Sequence, residues 1–345
     1  MNKKFIAAAV ASVLAAPMTS HAAQVVGEKL EVYGKVHLSV DSSDRDDPAV
    51  SNDGLSISSN SSRIGFKGKL PTGNMYFVYK MEQEVRMDQS GSTFASRNTY
   101  GGISGDFGMV ILGKHDTPFK NVGSKWGIFG DTIADRRMIL GAGYTSGNKF
   151  NARAENMIMY QYKAKAITFQ VLHAVDPSSS AGGSVDNNDQ KVTSAAVFYK
   201  TGGLWLAGGY ETWTGNSNLG GNGDGDMMRL AAKYDFGSFK LGAIYESISP
   251  DVDTNEFNRD VWGINGAVKV GGKTSLQVQY LVADEANNQP DTGANSIGVG
   301  VFHKLDKGMK VYLAYVSTDN DANAQYQAVD GGHGDEVKTA LGGSP

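Results

Sequence analysis

The chain has 345 residues, no cysteine, 44 glycines and a formal net charge of -4. That balance implies no surface for a polyanion such as nucleic acid, and the absence of cysteine excludes a disulfide-stapled scaffold. Beyond the first residues no apolar run reaches about 18 residues, which excludes a helical membrane protein; lipid could be crossed only by a closed barrel, in which every strand edge is paired.

Residues 1–22 have the grammar of a secretory signal. Lys3 and Lys4 precede an apolar run from Phe5 to Ala16, and Ser20-His21-Ala22 supplies a small-residue cleavage site. The segment is excluded from the fold, and residues 23–345 are read as one unit. Leu30, Val32, Gly34, Val36, Leu38 and Val40 then alternate with Glu31, Tyr33, Lys35, His37 and Ser39. This period of two predicts a strand with one oily and one polar face, long enough for a tilted crossing of a bilayer. Arg63–Leu70 alternates again, Pro71-Thr72-Gly73-Asn74 reads as a tight turn, and the next strand sets Met75, Phe77, Tyr79 and Met81 against Lys80, Glu82, Glu84 and Arg86.

A strand from Arg97, a Gly105-Asp106-Phe107-Gly108 turn and a returning strand follow. Residues 116–152 then form a long connection that mixes acids, bases and aromatics: Trp126, Phe129, Asp131, Asp135, Arg136 and Arg137. Loops of this length are functional or disordered; this one is predicted to fold back into the bore and narrow it. Alternating segments recur near 156–162, 167–173, 192–199, 204–211, 228–234, 239–246, 261–270, 274–281, 296–303 and 309–316. Seven short and eight long connections take turns between them, the pattern of an antiparallel transmembrane β-barrel and hence an all-β fold of sixteen strands. A soluble propeller or sandwich competes, but no blade signature repeats. Fifteen strands are readable. Lys338–Pro345 does not alternate and ends in a proline that cannot donate to a ladder, so the sixteenth strand is expected to be missing, through truncation or, less simply, an open sheet.

Val32-Tyr33-Gly34-Lys35-Val36, Ser62–Gly68, Gly105–Gly108 with Leu112-Gly113, Asp116-Thr117-Pro118 and Phe129-Gly130-Asp131-Thr132 together resemble the general diffusion porins of Gram-negative bacteria. Their order and spacing carry the resemblance, which covers most of the chain after residue 22. It implies an outer-membrane homotrimer that passes small hydrophilic solutes and ions by passive diffusion, with lipid outside and no cofactor. It also implies that Lys35, Arg63, Arg97 and Arg153 form one wall of a constriction, with Asp131, and more loosely Asp135, on the loop opposite. Opposed charges across a narrow gap would order water and disfavour apolar solutes. The residues themselves show only a basic set on polar faces: Lys35, Arg63, Lys67, Arg86 and Arg97, with Arg153 after the loop. Ordinary solvated lumen charges are the bland alternative.

Other functions find less support. His37, His115, His173, His303 and His333 are scattered without metal spacing, and no Gly-x-Ser-x-Gly elbow occurs, so no catalytic or metal residue is assigned. Gly220–Asp226 lacks the distal Glu of a calcium loop and reads as a flexible surface loop. Phe77, Tyr79, Phe198, Tyr210, Tyr234, Phe239, Tyr245, Tyr280 and Tyr315 are placed on the oily face as interfacial girdles. A substrate-specific channel would need a ladder of aromatics on the polar face, which is not apparent. A barrel phospholipase or a surface receptor built on the long loops remains open.

Overall fold

Two-faced strands need lipid on one side and water on the other, and the computed structural model of the chain meets that demand by rolling one antiparallel sheet shut. It describes residues 23–26, 29–45, 54–88, 90, 94–144, 151, 153–176, 190–215, 223–252, 258–326 and 336–344. The signal segment, 1–22, lies outside them. Sixteen staves run in chain order. The first eight are β1 (Leu30–Lys35 and Leu38–Arg45), β2 (Gly54–Ser59 and Arg63–Thr72), β3 (Met75–Val85), β4 (Phe94–Ser96 and Thr99–Gly105), β5 (Gly108–Asp116), β6 (Arg153–Ala164), β7 (Ile167–Val175) and β8 (Lys191–Thr201). The others are β9 (Leu204–Thr214), β10 (Gly223–Asp235), β11 (Phe239–Val252), β12 (Arg259–Val270), β13 (Thr274–Ala283), β14 (Ala294–Asp306), β15 (Met309–Asn320) and β16 (Glu336–Ser344). Each pairs antiparallel with the next, and the seven short turns fall where the sequence places them, six carrying proline, glycine or aspartate and one only Lys165-Ala166, where Lys165 takes φ +46°.

The closing strand corrects the sequence reading. β16 pairs with β15 from Lys310↔Ser344 to Thr318↔Glu336, and with β1 from Leu38↔Gly343 to Arg45↔Glu336. Ala23–Val26 pairs the remaining part of the same β1 edge, at Val32 and Leu30, so that stave is composite. The strand was unreadable because Lys338–Ser344 contains little but small and polar residues. Its place is fixed by two partner edges rather than by hydrophobic contrast, and leaving those edges open in lipid would cost several kcal/mol per unpaired group. The expected loop at Gly220–Asp226 is also corrected from Gly223 onward. Gly223 pairs with Val252, so the β10–β11 hairpin continues well past its alternating part.

Outward residues such as Leu112, Ile264 and Leu241 are exposed, as a lipid-facing surface requires. Phe77, Tyr210, Tyr234, Phe239, Tyr245 and Tyr315 share that exposure. Phe198 does not. It is 4% exposed and keeps the parity of buried Val192, Ser194 and Ala196, while Tyr199 takes the outward place. Two adjacent aromatics make either parity plausible in sequence, and the buried neighbours decide it.

The bore is not simply wet. Thr117 caps a helix, α1 (Pro118–Trp126): its hydroxyl accepts from the Lys120 N–H at 3.2 Å, and Pro118 opens the first turn. Phe119, Val122, Gly123 and Trp126 recur at helical spacing and form its buried stripe. That stripe lies on the inward faces of β8–β11. Phe129, Ile133, Ala134, Met138 and Leu140 continue the apolar layer to Val261, Leu281, Phe302 and Val316 of the wall. Two wall glycines permit the approach. A Cβ on Gly209 would stand 3.0 Å from Val122 Cγ2, and one on Gly300 would stand 2.9 Å from Phe129 Cε1.

Candidate functional site: a loop pinned across a barrel

Lys35, Arg63, Arg97 and Arg153 share a structural feature invisible in composition: each stands at an irregularity of its strand. Lys35 pairs with Arg63, and the next pair is Leu38 with Ser59, so two residues of β1 face three of β2. Ser61 absorbs the extra residue at φ +56°. Arg97 occupies the break inside β4: Lys80 pairs with Tyr100 and Gln83 with Ser96, leaving one residue more on β4 than on β3. Arg153 opens β6 just before the register shift between Ala154 and Met157, where Asn156 has φ +47°. Bulges bend a strand and re-aim its side chains, which is how a flat wall can turn several cations toward one level of the bore.

The loop brings acids to that level. Lys35 Nζ donates to Asp131 Oδ2 at 2.9 Å and Arg63 Nη2 to the same oxygen at 3.3 Å. Asp131 is therefore in contact with the basic side chains, where opposition across a gap was expected. It adopts φ +58° at the loop tip, a left-handed conformation that aspartate tolerates. Asp135 stands behind it and is 1% exposed. Its carboxylate accepts from the Asp131 N–H at 2.8 Å, the Arg137 N–H at 2.9 Å, Arg137 Nε at 3.0 Å and Arg136 Nη1 at 3.1 Å. Asp135 thus holds the turn that presents Asp131 and lines nothing itself. Burial alone would push its carboxyl up; the guanidiniums of Arg137 and Arg136 hold it well below the usual carboxylate range. Asp131 is likewise held low, with Lys35 overcoming burial.

The other two cations carry their own acids. Arg97 donates to Glu82 at 2.9 Å and to Glu84 at 2.5 Å. Arg153 reaches Asp116 at 3.2 Å and Asn98 at 2.8 Å, and Lys120 from α1 meets the same Asp116 at 2.7 Å. Of the remaining basic set, Lys67 pairs with Glu31 at 3.1 Å, away from the loop tip, and Arg86 is exposed.

Sequence reasoning missed the anchor of the loop. Arg229, Glu246 and Arg259 are all fully buried. Arg229 Nε donates to Glu246 at 2.7 Å, and its Nη1 donates to the Phe119 carbonyl at 3.3 Å. Glu246 accepts the Gly141 N–H at 2.7 Å, and Arg259 donates to the Tyr326 hydroxyl at 2.7 Å. Each sits on its strand's polar parity, but only the register Arg229↔Glu246 reveals them as one cluster. Inward aromatics were missed too. Trp213, Phe302 and Tyr312 face the bore, each at 7% exposure or less, and they pack the loop rather than form an open ladder.

A closed antiparallel barrel with an apolar outside and a loop pinned across its charged bore defines a transmembrane channel protein of the bacterial outer-membrane type. A sequence profile of the Gram-negative porins matches residues 7–323, and the chain belongs to that family. Outer membrane protein U of Vibrio vulnificus (strain CMCP6) is 26% identical over 242 residues, spanning 65% of this chain and 64% of that protein. Outer membrane protein YedS of Escherichia coli is 25% identical over 91% of this chain and 92% of its own. Among solved structures, the anion-selective porin from Comamonas acidovorans superposes with TM-score 0.77 at 20% identity, covering 92% of this chain and 98% of that one. Salmonella typhi OmpF superposes with TM-score 0.72 at 15% identity and the same coverage. The protein is an outer-membrane porin.

Proposed function

We propose that the chain is a general diffusion porin, a water-filled pore that small hydrophilic solutes and ions cross passively, as a homotrimer and without catalysis or cofactor. The loop, within residues 116–152, sets its width. Lys35, Arg63, Arg97 and Arg153 form the basic wall, Asp131 is the facing acid, and Asp135 braces the loop tip. The observation that carries this reading is the pair of contacts from Asp131 to Lys35 and Arg63, which ties the middle of the loop to β1 and β2. The arginines at this level stay charged, since guanidinium is effectively never deprotonated. Basic groups outnumber the carboxylates they meet: Lys35, Arg63 and Arg137 share Asp131, Lys120 and Arg153 share Asp116, and Lys80, Arg63 and Arg97 share Glu82, while Arg97 also meets Glu84 and Arg136 and Arg137 meet Asp135. That excess favours anions, the selectivity in the name of the Comamonas porin. One solved relative, OmpT of Vibrio cholerae, is described in a trimer form, which supports the same assembly here.

The test is electrical. In planar bilayers the purified protein gives discrete conductance steps, and in a salt gradient the Arg63→Gln, Arg97→Gln variant moves the reversal potential toward cations. An unmoved reversal potential removes both residues from the filter, and no conductance at all removes the channel.

A further inference from the structure

The net charge of -4 conceals two poles of opposite sign. The residues flanking the seven short turns (67–77, 103–111, 161–170, 198–207, 231–243, 266–278 and 302–313) hold twelve lysines, no arginine and only three acids, Asp106, Asp235 and Asp306. Lys240 already pairs with Asp235 at 2.7 Å. At the other end, the described residues of the five long connections after β7 (within 174–191, 213–227, 247–260, 282–295 and 317–337) hold eleven carboxylates against Lys191 and Arg259. Arg259 is fully buried and faces Glu246.

Four of these lysines share the parity of the bore-facing residues. Lys200 keeps the parity of buried Ser194, Ala196 and Phe198, and Lys233 that of Met227, Arg229 and Ala231. Lys240 keeps that of Ile244 and Glu246, and Lys304 that of Ser296 and Phe302. Lys233 Nζ lies 4.7 Å over the Trp205 ring, and Lys125, at the end of α1, lies 3.8 Å over Phe198. Lys125, Lys200 and Lys240 are all within electrostatic reach of Lys233. Short turns lie on the periplasmic side of such barrels and long loops outside.

We infer that fixed charge is segregated along the axis of this channel, lysine at the turn mouth and carboxylate at the loop mouth, and that the pore therefore rectifies ionic current. The inference rests on the open-channel reading. Mobile cations gather at the acidic mouth and mobile anions at the basic one. A potential positive on the loop side drives both toward the constriction, raises the ion density there and increases conductance. The opposite polarity pulls both away and depletes it. This axial effect differs from the local pairing at Asp131, which acts across the pore.

The chain has no cysteine, so Ser184→Cys in a long connection gives a unique biotinylation site. Streptavidin added to one compartment then reports the orientation of each single channel. In about 20 mM KCl, where screening extends over tens of ångströms, current with the loop side positive exceeds the reverse by about 1.5-fold or more. In 1 M KCl the Debye length falls to about 3 Å and the ratio to about 1. Combining Lys200→Gln, Lys233→Gln, Lys240→Gln and Lys304→Gln brings the low-salt ratio toward 1 and leaves the 1 M conductance unchanged. A linear wild-type response at 20 mM, rectification of the opposite sign, or a ratio unmoved by the four substitutions overturns the inference while the channel reading stands. A protein with no conductance in either salt overturns both.

Discussion

At the level of single residues, the loop tip depends on one carboxylate. Asp135 collects five donor nitrogens and is buried, so its removal takes an acceptor from two guanidiniums and two backbone N–H groups. Breaking a buried charged pair from one side costs about 3–5 kcal/mol. Asp135→Ala therefore frees Asp131 from Lys35 and Arg63, and single-channel records at neutral pH turn noisy with larger mean conductance; a quiet trace of wild-type size contradicts this role. The pH dependence has a definite sign. Both loop carboxyls are held below their ordinary value of 3.8, so the contacts contribute fully above that value and are lost only as pH falls through the lower folded value. The Asp131 and Asp135 contacts should contribute no conductance step between pH 7 and about 4. A step at pH 5 that Asp131→Asn abolishes would show that these carboxyls are not held low. Arg63 and Arg97 were legible as polar-face cations. The role of Asp135 was not, because one Asp four residues from another reads the same whether it lines a pore or braces a turn.

At the level of elements, the sequence carried the strands and hid the helix. Strict alternation marked fifteen staves, because lipid and water enforce a two-residue period. Thr117-Pro118 followed by Phe119, Val122, Gly123 and Trp126 was a complete helix signal of cap, first-turn proline and apolar stripe. It lies inside a segment whose length and mixed composition read as a loop. The bulges at Lys35–Arg63, Arg97 and Arg153 were equally silent, since an extra residue is visible only once two strands are in register. Docking of α1 yields a steric prediction. Gly209→Val forces branched carbons into space held by Val122 and the Phe119 backbone, overpacking that costs about 1–3 kcal/mol. The helix is pushed into the bore and unitary conductance falls. Unchanged conductance would place α1 elsewhere.

At the level of the whole molecule, closure decides everything. Each stave lends its neighbours both hydrogen-bonding edges, and β16 with Ala23–Val26 completes the ring on β1. The fold class was legible because alternation and the rhythm of short and long connections persist along the chain. The closing strand was not, because a strand with eight of its nine residues paired on both edges needs no strong hydrophobic contrast of its own.

The most direct test is liposome swelling with sugars of graded size. Uncharged hydrophilic sugars should enter at rates that fall steeply with molecular size to an abrupt cutoff, and Asp135→Ala should move that cutoff upward. Liposomes that admit no sugar, or that admit all sizes alike, would contradict a water-filled barrel narrowed by its own loop.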